Sequence, residues 1–375
     1  MGFMFKYLLC FLPSVPIFQG IENIDLNQQP LHSQLPSDFQ PGEEDFNPQT
    51  WIGDFYDSET PMNEAIFPGS HNSASYAVTA ESKKSHTLAK VLAVPPSIVP
   101  SSLIEPWSKT QEKNISQSLK DGIRYLDLRV EKHEGEWWLY HGLLAIKLED
   151  AMENQITPFA RQNPKEIILI DLRSKHSRKN KTDDGDLYQF IFNRNSSWDS
   201  LLFDNDKAWF GLTFGEVWKS GRNIMVDFDF RYLKPLFFSP WEQKETPEAL
   251  EGYLRKKITA PLYRSPYVQK YSKCSRINQC ITRAFFHVHQ VILSPGPVTI
   301  AFGGLTGASS LKEMHQQKLL PRLNNIVEDL EEEALKDPPK VPTVMTSDFY
   351  HLKDKRTGKS FVRIILDLNR KRLRS

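Results

Sequence analysis

Short apolar runs that end in His, Asp or Arg, separated by amphipathic stretches, constrain this chain more than any other feature. Strand character marks "EAIF" (64–67), "IRYLDLRV" (123–130), "WWLYH" (137–141), "EIILIDL" (166–172), "NIMVDFDF" (223–230), "FFHVHQVIL" (285–293), "VTIAF" (298–302) and "PTVMTSDFY" (342–350). Their β-branched and aromatic content, at strand length, fits buried strands. Helical spacing marks "QEKNISQSLKDG", closed by Gly122, then "KLEDAMENQITPFARQNP" and "SSLKEMHQQKLLPRLNNIVEDLEEEAL". Such alternation predicts one parallel-sheet α/β unit, most simply a closed barrel. No internal repeat or linker divides it.

In such a barrel the working residues sit where strands end and loops begin. His71 follows a strand-breaking Pro68-Gly69 pair, Asp127 and Arg129 close the second strand, and His141 ends the next. Asp171 and Arg173, Asp229 and Arg231, and Asp348 end later strands. Each residue alone has a bland role as a cap or surface charge; their convergence is the signal. In "DLR", strand alternation puts Asp127 and Arg129 on one face with Leu128 on the other. Two imidazoles, guanidinium groups and carboxylates suit phosphoryl transfer. One histidine removes a proton and the other supplies one near neutral pH, while an arginine grips the phosphate.

Composition narrows the function classes. Lys plus Arg number 47 against 46 Asp plus Glu, so no overall field argues for nucleic acid. The start, "MGFMFKYLLCFLPSVPIFQG", has the length of a signal-peptide core and is too short to span a bilayer. Residues 1–20 are therefore expected to be a cleaved signal, although "IFQG" lacks the usual small-residue cleavage pattern. The chain is then expected to be secreted, at most peripheral at a membrane surface. Cys274 and Cys280 suit one disulfide in that compartment, and the sequons at Asn114, Asn180 and Asn195 agree with it. Residues 21–49 read as a flexible leader, 50–352 as the barrel, and 353–375 as a C-terminal strand with a basic, solvated tail.

The ordered series "IFPGSHNS", "GIRYLDLRV", "WWLYHG" and "LEDAMENQITPFARQNPKEIILIDLRS" resembles the X region of phosphatidylinositol-specific phospholipases C. The likeness is to the bacterial-type enzymes and to eukaryotic X-domain-containing proteins, from about Trp51 to Tyr350. It implies a distorted TIM-type barrel as a single domain and a phospholipase C-type phosphodiesterase. The substrate implied is phosphatidylinositol or a glycosylated form, cleaved to diacylglycerol and a cyclic inositol phosphate. The resemblance makes His71 the general base toward the inositol 2-hydroxyl and His141 the general acid. It makes Arg129 the phosphate grip, Asp127 the support of His141, and Asp348 the orienter of His71. Asn72, Arg173 and Arg231 would line the substrate pocket.

No cofactor or metal is expected, because Arg129 and Arg173 stand where calcium-dependent relatives place carboxylates, and calcium takes hard anionic oxygens. Asn72 departs from the aspartate usual in bacterial-type enzymes. The expected partner is a phospholipid at a membrane surface, with no nucleic acid and no defined protein partner. A Mg²⁺-dependent glycerophosphodiesterase or sphingomyelinase-like barrel, and a head-group binder without catalysis, are the competing readings. The insertion "TLAKVLAVPPSIVPSSLIEPW" (87–107) is either a membrane-dipping rim or a loop packed flat on the barrel. "HVH" at His287 and His289 has no third ligand nearby and reads as structural.

Overall fold

Seven parallel strands carry the fold, in the spatial order β6, β5, β2, β1, β9, β8, β7. They are β1 (Phe67–Ser70), β2 (Tyr125–His133), β5 (Ile168–Arg173), β6 (Ile224–Phe228), β7 (Phe237–Phe238), β8 (Phe286–Val291) and β9 (Val344–Ser347). The computed structural model describes residues 46–88, 99–174, 181–192, 195–203, 212–228, 237–259, 286–296, 298–300, 307–335 and 344–374. Among these, β6 and β7 share no ladder. Asp227, at the end of β6, instead accepts a hydrogen bond from the Phe237 N–H at 3.1 Å. The architecture is an α/β barrel of distorted TIM type.

Parallel register puts paired residues on one face, and aromatic contacts show which face is interior. Tyr125 on β2 meets Phe237 on β7 across the barrel at 5.1 Å, and Phe286 joins Phe237 at 5.6 Å and Phe67 at 6.0 Å. Gly69 makes this crossing feasible. A Cβ there would lie 2.7 Å from the Tyr125 ring and 3.1 Å from Thr346. Pro68 and Gly69 therefore lie within β1, paired on both sides, rather than breaking the strand before His71. Pro68 forgoes a ladder N–H, but its carbonyl accepts from the Arg124 N–H at 2.8 Å. The first strand starts three residues later than "EAIF" predicts, and Met62–Glu64 is a 3₁₀ turn.

Two further strands, β3 (Glu136–His141) and β4 (Leu143–Lys147), are antiparallel and continue from β2. Only Tyr125–Arg129 of β2 pairs with β5. Val130–His133 pairs with β3 alone, so the hairpin overhangs the mouth of the barrel. The "WWLYH" run is thus not a barrel strand: it folds back and returns His141 toward the C-terminal end of the barrel. β4 was not foreseen, because "LLAIK" runs directly into a helix starting at Leu148. Residues 298–300 are helical, with Val298 and Ile300 exposed, where "VTIAF" predicted a strand. No described strand lies beside them to complete a ladder.

The opposite end of the barrel is closed by the helix Trp51–Phe55 and a buried ion pair. Arg124, fully buried, donates through Nε to Glu166 Oε2 at 2.8 Å and through its other nitrogens to the carbonyls of Leu119, Ile123, Pro48 and Gln49. Glu166 also accepts from the N–H groups of Ile52 (3.3 Å) and Gly53 (2.9 Å). Residues 48 and 49, assigned to a flexible leader, are therefore tied to the barrel base.

The C-terminal segment is corrected likewise. It forms a helix, Phe361–Arg374, not a strand with a frayed tail. Phe361, Val362, Ile364, Ile365, Leu366 and Leu368 supply its buried face, a 3–4 spacing that requires a helix. Its fully buried Asn369 donates to the Ile66 carbonyl and accepts from the Ile66 N–H, both at 2.8 Å. Arg372 pairs with Glu331. Phe46–Ser375 accordingly makes one compact unit, so the barrel does not stop at residue 352. The proposed signal, Arg231, Cys274 and Cys280 lie outside the described residues.

Removing one partner of a buried ion pair leaves an uncompensated charge, at a cost of about 3–5 kcal/mol. Arg124→Met is therefore expected to lower unfolding stability by that amount, read as a fall in the urea midpoint. A loss below ~1 kcal/mol would show that the pair does not hold the barrel base.

Candidate active site

The ladder between two neighbouring strands ends in the same three-residue pattern on each, and their register brings the patterns together. Asp127 pairs with Asp171 and Arg129 with Arg173 across β2 and β5. Alternation turns all four side chains inward, above the aromatic layer. Arg129 binds Asp127 in a fork, Nε to Oδ1 at 2.8 Å and Nη2 to Oδ2 at 3.1 Å. Arg173 grips Asp171 similarly, at 2.6 to 2.9 Å, and Tyr125 donates its hydroxyl to Asp171 Oδ2 at 2.6 Å. Burial would raise the Asp127 carboxyl, but Arg129 and then His71 outweigh it and hold it well below the usual carboxylate range. Burial works against the charge on Arg173, yet Asp171 keeps that guanidinium firmly protonated.

His71 stands directly after β1. Its Nδ1 lies 2.7 Å from Asp348 Oδ1, directly after β9, the strand paired with β1. A carboxylate at that distance accepts from Nδ1–H, which leaves Nε2 as the basic nitrogen. Both strand ends then turn sharply: Asn72 and Phe349, the residues after His71 and Asp348, adopt positive φ of 44°. Asparagine tolerates that conformation; for a bulky aromatic it is strained, as is common where a site dictates the backbone. The Asn72 amide nitrogen lies 2.9 Å from His71 Nε2, and its Oδ1 is buried without a hydrogen-bond partner.

His141 arrives on the overhanging hairpin, and the two imidazole rings lie 5.9 Å apart, inclined at 69°. Its Nδ1 lies 2.7 Å from the Ser108 carbonyl, which can only accept, so Nδ1 carries the proton and Nε2 is left for chemistry. Gly142 permits this approach: with φ of +72°, a Cβ there would meet Ser108 Oγ at 2.7 Å. Burial, then the neighbouring His71, lower the His141 pKa to about 4, although the residue keeps a partly exposed edge. Asp127 does not reach His141 as expected. Bonded to Arg129, it lies 3.7 Å from His71 Nε2, and the Ser108 carbonyl takes the supporting role.

Several positioning groups escaped the sequence reading. Gln111 Nε2 donates to the carbonyls of His71 and Ser347, both at 3.0 Å, bridging the ends of β1 and β9. Thr110 Oγ1 donates to the His71 carbonyl at 2.9 Å, and its own carbonyl accepts from the Phe349 N–H at 2.8 Å. Thr110 and Gln111 are fully buried. Nothing in "WSKTQ" distinguishes it from a solvated loop; main-chain acceptors leave no mark in a sequence. His287 and His289 face away from this site, and burial depresses both pKa values. Arg231 lies outside the described residues.

The chemistry available is a pair of imidazoles, each with Nδ1 anchored, beside two guanidinium groups whose charge is partly balanced by carboxylates. Such a set can move one proton in and one out around a bound anion.

Comparison with known proteins adds the lineage. The phosphatidylinositol-specific phospholipase C X domain matches residues 100–207. Over 317 residues the chain is 27% identical to PI-PLC X domain-containing protein 2 of Mus musculus, covering 82% of this chain and 83% of that protein. It is 23% identical over 331 residues to PI-PLC X domain-containing protein 3 of Homo sapiens, covering 82% and 89%. A solved phosphatidylinositol-specific phospholipase C from Staphylococcus aureus superposes with a TM-score of 0.56 at 15% identity, over 86% of this chain and 97% of that one, which shows a common fold. By fold the chain matches the bacterial enzyme, and in sequence it is similar to the PI-PLC X domain-containing proteins.

Proposed function

We propose that the chain is a phospholipase C-type phosphodiesterase that cleaves phosphatidylinositol, or a glycosylated form of it, without a catalytic metal. The carrying observation is the pair of imidazoles 5.9 Å apart, each anchored through Nδ1 to a separate acceptor. His71 Nε2 takes the proton of the inositol 2-hydroxyl as that oxygen attacks phosphorus. His141, protonated, gives a proton from Nε2 to the diacylglycerol oxygen as its bond to phosphorus breaks. The products are diacylglycerol and a cyclic inositol phosphate. The nucleophile belongs to the substrate, so this step needs no external water. Arg129 takes charge from the phosphate oxygens, and Arg173 lines the pocket beside it.

The metal-free reading rests on what the carboxylates already do. Calcium needs several anionic oxygens facing one ion. Here both oxygens of Asp127 and of Asp171 accept from a guanidinium. The same pairing disfavours a Mg²⁺-dependent glycerophosphodiesterase. The Asn72 amide must swing away from His71 Nε2 before that nitrogen can act, and this contact favours the head-group binder as second reading.

A lipid surface fits the rim. Leu103 is 54% exposed on the helix Ser101–Ser108, whose last residue holds His141, and Trp241 is 55% exposed. The ends of the insertion are packed: Leu88, Val99 and Ile104 cluster with Val78 and Leu143. No described helix is long and apolar enough to cross a membrane. A secreted enzyme, peripheral at the membrane, is the proposed setting.

Vesicles of phosphatidylinositol are expected to release water-soluble inositol phosphate, with His71→Ala and His141→Ala each slowing release by about 10²–10⁴ while still sedimenting with the vesicles. Vesicle binding by the native chain with no release would make it a head-group binder. Release is expected to persist after chelator treatment, and a rise on adding Ca²⁺ would overturn the metal-free cycle.

The pKa of His141 supplies a separate test. In the free protein this ring is neutral at pH 7, because burial lowers its pKa to about 4. A bound phosphate anion favours imidazolium, so the pKa should rise on adding an inositol phosphate, as read by imidazole NMR. An unchanged or lower value would place the phosphate elsewhere.

A further inference from the structure

A second cluster of chemistry-bearing side chains lies on the overhanging hairpin. The inward face of β2 continues past Asp127 and Arg129 to Glu131 and His133, beyond the last pairing with β5. The segment leading into the insertion lies alongside. The Lys83 carbonyl accepts from the Leu144 N–H at 2.8 Å, Ser85 N–H donates to the Gly142 carbonyl at 3.0 Å, and His86 N–H donates to Glu131 Oε1 at 3.1 Å. His86 Nδ1 lies 3.4 Å from the same oxygen, and the rings of His86 and His133 are 5.2 Å apart, tilted by 37°. One ligand atom from each of His86, Glu131 and His133 falls within 4.8 Å of the other two.

What the cluster lacks is positive charge at its centre. Glu131 is 1% exposed, and its Oε2 has no hydrogen-bond partner. Neither ring nitrogen of His133 has one, although Nε2 lies 3.5 Å from Glu134 Oε1. Lys83 is turned to Glu134, at 2.9 Å, and does not reach Glu131. Burial raises the Glu131 pKa, with the His86 N–H, the His86 ring and the Thr87 N–H only partly opposing it. A buried carboxylate oxygen beside two imidazoles, with nothing donating to it, is a poor arrangement without a cation and a good one with it.

We propose that His86, Glu131 and His133 form a binding site for a Zn²⁺-class transition-metal cation, separate from the paired histidines in the barrel mouth. Two imidazoles select such an ion over Ca²⁺ or Mg²⁺. Bonds of about 2.0–2.2 Å put tetrahedral ligands roughly 3.3–3.5 Å apart, so a small contraction of the cluster suffices. A water or Glu134 completes the fourth position. The exposed His86 closes on the two strand residues and staples the insertion's first turn to the hairpin. Because Ser85 holds Gly142, next to His141, the ion stiffens the arm that carries this histidine. The site stands independently of the reaction proposed above.

The test uses the full chain, stripped by chelator and dialysed, with Zn²⁺ and then Co²⁺ as probes. The native chain should take up one equivalent of Zn²⁺ by calorimetry, gain in melting temperature, and show intense visible bands with Co²⁺. His86→Ala, at an exposed position, and the isosteric Glu131→Gln should each weaken Zn²⁺ by more than about 100-fold, beyond the ~10–100-fold cost of losing a supporting contact. Both variants should keep the native circular-dichroism spectrum, and His141→Asn should keep the Co²⁺ bands. No uptake by the native chain, undiminished uptake by His86→Ala, or loss of the bands in His141→Asn would each overturn the assignment.

Discussion

Charge inside a barrel has to be balanced at short range, and two carboxylate–guanidinium forks in register satisfy that demand here. Asp127 and Arg129 on β2 sit beside Asp171 and Arg173 on β5, above a layer of aromatic rings. Four buried charges would be costly apart. Together they form a polar floor that is nearly neutral and still presents guanidinium edges upward. The two histidines stand at the rim of that floor, whose paired charges keep the interior beneath them stable.

Stability and chemistry are set at opposite ends of the strands. Below, Arg124 and Glu166 lock the barrel base to the segment around Trp51, while Asn369 pairs with the main chain of Ile66 at the entrance to β1. Above, the groups that hold the histidines are a carboxylate and a main-chain carbonyl from different parts of the chain. The N-terminal end is closed by packing and ion pairing, so the mouth can tolerate two left-handed residues and an amide with an unpartnered oxygen.

What could be read from the residues was what alternation and strand length reveal. The barrel strands follow from β-branched and aromatic runs of strand length, and the inward pairing of Asp127 with Arg129 from a period of two. Asp348 lay at the end of the last apolar run. Topology was less legible: "WWLYH" has the composition of any buried strand, and nothing in it says that it folds back on its predecessor. The C-terminal helix was hidden by its many cations, although the apolar residues 361–368 carry a helical spacing. Pro68 and Gly69 misled because their usual preference for turns was overridden by the ring of Tyr125 crossing the barrel. The support of His141 had no sequence signature, since every residue owns a carbonyl.

The bond between His71 and Asp348 joins residues 277 positions apart, and the one between Ile66 and Asn369 joins residues 303 apart. A chain emerging from a ribosome holds the first histidine long before it holds the aspartate that orients it. Until β9 arrives, β1 has one flank open and the imidazole lacks its Asp348 partner. Contacts this remote in sequence form late and slowly. Truncated or half-made copies would therefore carry the paired arginines and both rings yet lack the carboxylate that aligns His71.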